Sequence, residues 1–126
     1  MPTFFNIDKD RRLVMSTATG VFNKEDALSH QQRLQAHPDF DPSYSQLADF
    51  THVTKFDVTA EDIRQLAFNS LFAPSARRAL LVSGDFAFGL GRMYEMLREG
   101  AGESGVRVFR NLDEALDWVL AKTEAP

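Results

Sequence analysis

A chain of 126 residues with 44% hydrophobic and 25% charged side chains has the length for one core and one domain, residues 1–126, and is too apolar to be disordered. Fourteen basic against eighteen acidic side chains leave a formal charge of −4, which argues against a phosphate-neutralising surface and so against nucleic acid as a partner. With no cysteine, disulfides, thiolate metal sites and a cysteine nucleophile are excluded, and without a basic-then-apolar leader or a long apolar run the expectation is a cytoplasmic protein with no stable membrane insertion.

Two short β-like runs, Thr3 to Ile7 and Leu13 to Thr19, flank the charged residues 8–12 and predict an antiparallel hairpin at one sheet edge, with Leu13, Met15 and Thr17 on one face. Gly20 punctuates, and Asn23 is placed to cap a helix whose first turn carries Glu25 and Asp26. That helix is expected to run to about His37, where Pro38 stops it, and its apolar stripe is thin, with Ala27 and Leu34 separated by His30 and Gln31. Gln46 to Phe50 follows as a short strand ending near Asp49, then Thr51 to Asp57 as a loop or brief extended segment.

Thr59 with Asp62 three residues on marks a second helix start, and Ile63, Leu66, Ala67, Ser70 and Leu71 form its stripe up to Pro74. Ala79 to Val82 is a continuous apolar strand. Next come a Gly- and Phe-rich helix start from Gly84, a helix to about Glu99, a flexible stretch from Gly100 to Gly105, a strand from Val106 to Phe109, and a helix from Asn111 to Leu120 that buries Leu112, Ala115, Leu116, Val119 and Leu120 with Trp118 at its margin. The expected fold is therefore α/β, a single mixed, mostly parallel sheet of about five strands with an antiparallel edge hairpin and four helices.

No catalytic or metal constellation stands out. Gly89-x-Gly91 lacks the third glycine of a dinucleotide loop, which is Tyr94 here, and has no Walker-type lysine, so no nucleotide cofactor is expected. His30, His37 and His52 match no metal-ligand spacing. Asp49 and Asp57, at the ends of extended segments, are the candidates a hydrolase would recruit, with His52 as partner; loop and capping roles explain them more cheaply. Arg92, in the first turns of its helix, is a candidate anion contact, with an ion pair to Glu95 as the plainer reading.

In order along the chain, Gly20, Asp49-Phe50-Thr51, Arg78 to Val82, Phe88-Gly89-Leu90-Gly91-Arg92-Met93 and Val108 to Trp118 resemble the SpoIIAA-like, or STAS/SEC14-like, family of small bacterial proteins. The resemblance covers nearly the whole chain. It implies helices packed on a mixed sheet and kinship with anti-sigma-factor antagonists and lipid-binding SEC14 domains. In those antagonists a phosphorylatable serine follows an aspartate at the start of the helix after the third strand; here Val58 follows Asp57, leaving Thr59 as the regulatory phosphorylation candidate. Eleven phenylalanines exceed what the strand and helix stripes demand. They point to a non-catalytic binding module whose crevice, at the carboxyl ends of the strands, is lined by Phe50, Phe56, Phe68, Phe72, Phe86 and Phe88 with Arg92 and accepts a lipid-like or other hydrophobic small molecule. The alternative is a protein-interaction domain acting through a partner protein. A homodimer is expected to cover the thin face of the first helix and the margin at Trp118.

Overall fold

The computed structural model describes residues 3–68, 71–103 and 105–121. Strands β1 (Thr3–Asp8), β2 (Leu13–Asn23), β3 (Ser45–Asp57), β4 (Arg78–Leu81) and β5 (Val106–Phe109) form one sheet in sequence order, β1 antiparallel to β2 and the rest parallel. Between them lie helices α1 (Lys24–Gln35), α2 (Ala60–Phe68) and α3 (Asp85–Gly100), with α4 (Leu112–Leu120) at the end. The strand order advances in one direction from β2 to β5, and right-handed crossovers then put α1, α2 and α3 on the same face. The other face is left to α4. The expected mixed sheet with its edge hairpin and four helices is what forms.

Strand alternation sorts the interior into two halves. On the α4 side, Leu13, Leu47, Ala79 and Leu81 pack against Ala115 and Val119, with Met15, Phe109, Leu116 and Trp118 around them. On the opposite side lie Val14, Leu34, Tyr44, Phe72 and Ala76, and beside them Ala48, Leu80 and Val106. The helix starts are locked as their sequence demands. Asn23 Oδ1 accepts from Asp26 N–H while Asp26 accepts from Asn23 N–H, and Thr59 and Asp62 exchange the same pair of bonds at 3.0 Å each.

Several expectations need correction. Of the two readings of Thr51 to Asp57 the extended one holds, and it is not brief: β3 runs thirteen residues and pairs with β2 through Gly20 to Asn23, across register shifts that flank Gly20, whose φ of +68° suits a glycine. Ring packing at the far ends of these strands, Phe22 on Phe50 and on Phe56, gives the extension an apolar reason to persist. Helix α1 stops at Gln35, short of His37. Leu112 and Leu120, expected inside, are 48% and 38% exposed because they begin and end a nine-residue helix and overhang the sheet. Residues 100–105 do more than connect, since Glu103 within them is buried. Ser70 of the α2 stripe lies outside the described residues, and Leu71 and Phe72, expected on the helix up to Pro74, are no longer helical.

Two glycines in α3 and its following loop separate close packing from mere helix permissiveness. A Cβ on Gly105 would sit 2.3 Å from the Ala76 carbonyl oxygen, next to the bond in which Arg78 N–H donates to Gly105 O, whereas a Cβ on Gly89 meets nothing. Gly105→Ala is therefore expected to cost at least about 2 kcal/mol in urea denaturation, because the clash is with backbone. Gly89→Ala should be neutral or stabilising by up to about 1 kcal/mol, by relieving the entropy of a helical glycine.

Candidate functional site

Between the sheet and helices α1 to α3 lies a cavity of about 160 Å³. Its walls come from three strands and all three helices of that side: Ala18 and Phe22 of β2, Ala48 and Phe50 of β3, Leu80 of β4, Leu34 of α1, Ile63 and Leu66 of α2, and Ala87 and Leu90 of α3. The lining is mostly apolar. One end, toward the carboxyl termini of the strands, is aromatic, with Phe22, Phe50 and Phe56 in mutual ring contact at 5.3 to 6.2 Å.

The other end is polar and is built by residues from five elements. Ser16 of β2, His30 of α1, Gln46 of β3, Arg78 of β4 and Tyr94 of α3 all line it. His30 Nε2 is 2.9 Å from Ser16 Oγ, Gln46 Nε2 donates to the same oxygen at 3.0 Å, and Arg78 Nε donates to Gln46 Oε1 at 3.2 Å. The guanidinium of Arg78 also stacks on Phe72 and Tyr94, and its NH1 donates to Glu103 Oε1 at 3.1 Å. From below, Arg98 Nε donates to that same carboxylate oxygen at 3.1 Å and its NH1 to the Ala67 carbonyl. Glu103 is 2% exposed, and two buried guanidinia converge on its carboxylate.

These charges fix the chemistry of the imidazole. Burial, with the Arg33 and Arg78 charges nearby, pulls His30 down to about 4, so the ring is neutral at ordinary pH. In the Nδ1–H tautomer of the neutral ring Nε2 accepts, and the chain of donors then runs Arg78 to Gln46, Gln46 to Ser16, and the Ser16 hydroxyl to His30 Nε2. Burial works against the Arg78 charge as well, but Tyr94 and Glu103 outweigh it and raise its affinity for the proton.

The structure gathers only part of the expected aromatic set. Phe50, Phe56 and Phe72 line the cavity. Phe86 touches Phe56 at 6.5 Å between ring centres but is 66% exposed at the rim, and Phe68, 85% exposed, points away at the end of α2. Phe88 faces a shallow hollow on the far side with Arg107, Phe109 and Trp118, its ring under Arg110. Arg92 is half-exposed and paired with Glu95. The reason is geometric: Phe86 and Phe88, two apart, point to different sides of α3, and Arg92, four beyond Phe88, falls on the Phe88 side. Phe22, missed in this role, carries the β-strand alternation that identifies it once β2 is known to continue past Gly20. Thr59 is exposed and already engaged as the α2 cap. Asp49 accepts from Thr51 N–H and Oγ1–H, and Asp57 and His52 are exposed. Among the described residues no three metal-ligating side chains gather, and no helix is long and apolar enough to cross a membrane.

Similarity to solved structures decides the name of this architecture. An uncharacterized protein from the DUF3478 family of Shewanella loihica PV-4, with a SpoIIAA-like fold, superposes with a TM-score of 0.63 over 93% of both chains at 18% identity. The fold is SpoIIAA-like. No protein-family model and no curated protein matches the chain. Within the SpoIIAA-like frame the cavity lies on the face covered by α1 to α3, and it extends well behind the carboxyl ends of the strands where a crevice was expected.

Proposed function

We propose that this chain is a non-catalytic binding module that holds a hydrophobic small molecule in the cavity between its sheet and helices α1 to α3. The observation that supports this reading is the cavity itself: about 160 Å³ of largely apolar space in a small domain, where interiors ordinarily leave few voids larger than a water molecule. An apolar cavity of roughly 150 Å³ holds a benzene-sized guest, which limits the occupant to a single ring or a short chain rather than a whole lipid. The Ser16 and His30 pair has the spacing of a nucleophile and its base, yet a ring held at about 4 is a weak base near neutrality, and among the described residues no carboxylate is hydrogen-bonded to it. Binding is therefore favoured over hydrolysis. The partner-protein reading through Thr59 has less behind it, because a phosphate there would meet the Asp62 carboxylate that completes the cap.

Filling the space tests the proposal. Ala87 lies on the cavity wall and is 5% exposed, so Ala87→Leu places three extra carbons where there is room for them. The expected result is a melting temperature equal to or above that of the parent and loss of binding of toluene, followed by ligand-observed NMR. In a packed interior the same enlargement costs about 1–3 kcal/mol, so marked destabilisation with toluene binding unchanged would overturn the reading.

A further inference from the structure

We infer that the guest is an amphipathic monocarboxylate, its ring or short chain among Phe22, Phe50 and Phe56 and its carboxylate on the Ser16, Gln46 and Arg78 floor. This rests on the binding-module reading and names the class of molecule that such a site takes. Three observations lead to it.

The first is placement. A cavity meant for a wholly apolar guest has no use for polar side chains, yet five elements each contribute one to the same end of this one. The contributions are strictly local, since Gln46 pairs in register with Arg78 and Ala48 with Ser16, which sets the polar groups at the start of the parallel strands. The phenylalanines sit at the other end. A molecule lying along the strands therefore meets rings first and hydrogen-bonding groups last.

The second is charge. Arg78 and Arg98 converge on one oxygen of Glu103, so two buried cations share one carboxylate. Arg33, one turn beyond His30 on α1, donates to the carbonyl and hydroxyl oxygens of Thr3, which carry no charge, and its Nε is buried with no partner among the described residues. Of these cations Arg78 is the one that lines the cavity, and Arg33 and Arg98 lie outside its lining but add to the positive charge around this end. Burial first, and then the Arg33 and Arg78 charges, lower the proton affinity of His30 beside them. Asp49, which also lines the cavity, lies three residues along β3 from Gln46, about 10 Å away at the strand rise, with its carboxylate committed to Thr51. A carboxylate is a small anion whose two oxygens match the planar fork of a guanidinium such as Arg78.

The third is size. A space of about 160 Å³ admits a guest near the size of one aromatic ring with a small substituent, which excludes phospholipids and long fatty acids.

Calorimetric titration of the full-length protein with phenylacetate and with phenylacetamide, together with NMR titration of toluene, tests this. The expected result is that phenylacetate binds at least tenfold more tightly than its neutral amide and than toluene. Ser16→Ala and Gln46→Leu should each narrow that preference at least threefold, with circular dichroism confirming that the variants fold, and Ala87→Leu should abolish binding of all three. Equal affinity for the acid and the amide overturns the carboxylate inference and leaves the cavity reading intact. Phenylacetate binding that survives Ala87→Leu places the contact elsewhere and also overturns it. Failure of all three probes to bind the parent protein removes both readings together.

Discussion

Replacing Glu103 by alanine is expected to lower the stability of the protein by about 3–5 kcal/mol, the cost of leaving buried charge without its partner. The residue is 2% exposed and its Oε1 accepts from Arg78 NH1 and from Arg98 Nε, each at 3.1 Å. The two arginines are themselves 7% and 9% exposed, so water does not replace the lost carboxylate. Both are also structural ties: Arg98 reaches the Ala67 carbonyl at the end of α2, and Arg78 aligns Gln46 on β3. Glu103→Gln retains the shape and one acceptor oxygen but removes the charge, and its loss should fall between the parent and alanine variants. Urea denaturation midpoints measure the series. A Glu103→Ala loss below about 1 kcal/mol, the range of an exposed ion pair, would show that the cluster is hydrated and that the loop after α3 does not anchor the fold.

A second large effect is tied to pH. In the folded protein burial, then the charges of Arg33 and Arg78, hold His30 at about 4, against about 6.5 in an unfolded chain. Between those values the unfolded state binds a proton that the folded state refuses, so stability falls as pH drops from 6.5 toward 4 and is unaffected above about 7.5. The groups facing the ring are Arg33 on its own helix, Arg78 from β4, Ser16 from β2 and the edge of Phe5 from β1; none supplies a negative charge to ease protonation. The full contribution of this one group is about 3 kcal/mol. Acidic side chains also titrate near pH 4, so the informative quantity is the difference between the parent protein and His30→Gln. Denaturation series at pH 7.5, 6, 5 and 4 should give a steeper acid-side decline for the parent, and parallel curves would contradict the assigned environment of His30.

Much of the frame was legible from one dimension. Asn23 with Asp26 and Thr59 with Asp62 announce helix starts because a short polar side chain three residues from its partner satisfies bonds that the helix itself leaves open. The continuous apolar run Ala79 to Val82 announces a strand covered on both faces. Where the reading failed, it failed at long range. The run from Thr51 to Asp57 is rich in polar residues and looks like a loop until β2 pairs with it and Phe22, Phe50 and Phe56 find one another. Glu103 looks like one more solvated acid in a glycine-rich connection, and nothing near it in the chain signals that Arg78, 25 residues earlier, will bury it.

The sequence by itself determined the order of the elements, the helix caps and the mixed α/β class, because each of these follows from side chains within a few residues of one another and from hydrophobic periodicity. Only the tertiary structure decided which phenylalanines share a cavity, that Ser16, His30, Gln46 and Arg78 form its polar end, and that Phe68, Phe86 and Arg92 face outward. Those relations depend on strand register and on how far each helix is rotated about its axis, and a one-residue change in register or a 100° turn per helical residue reverses them.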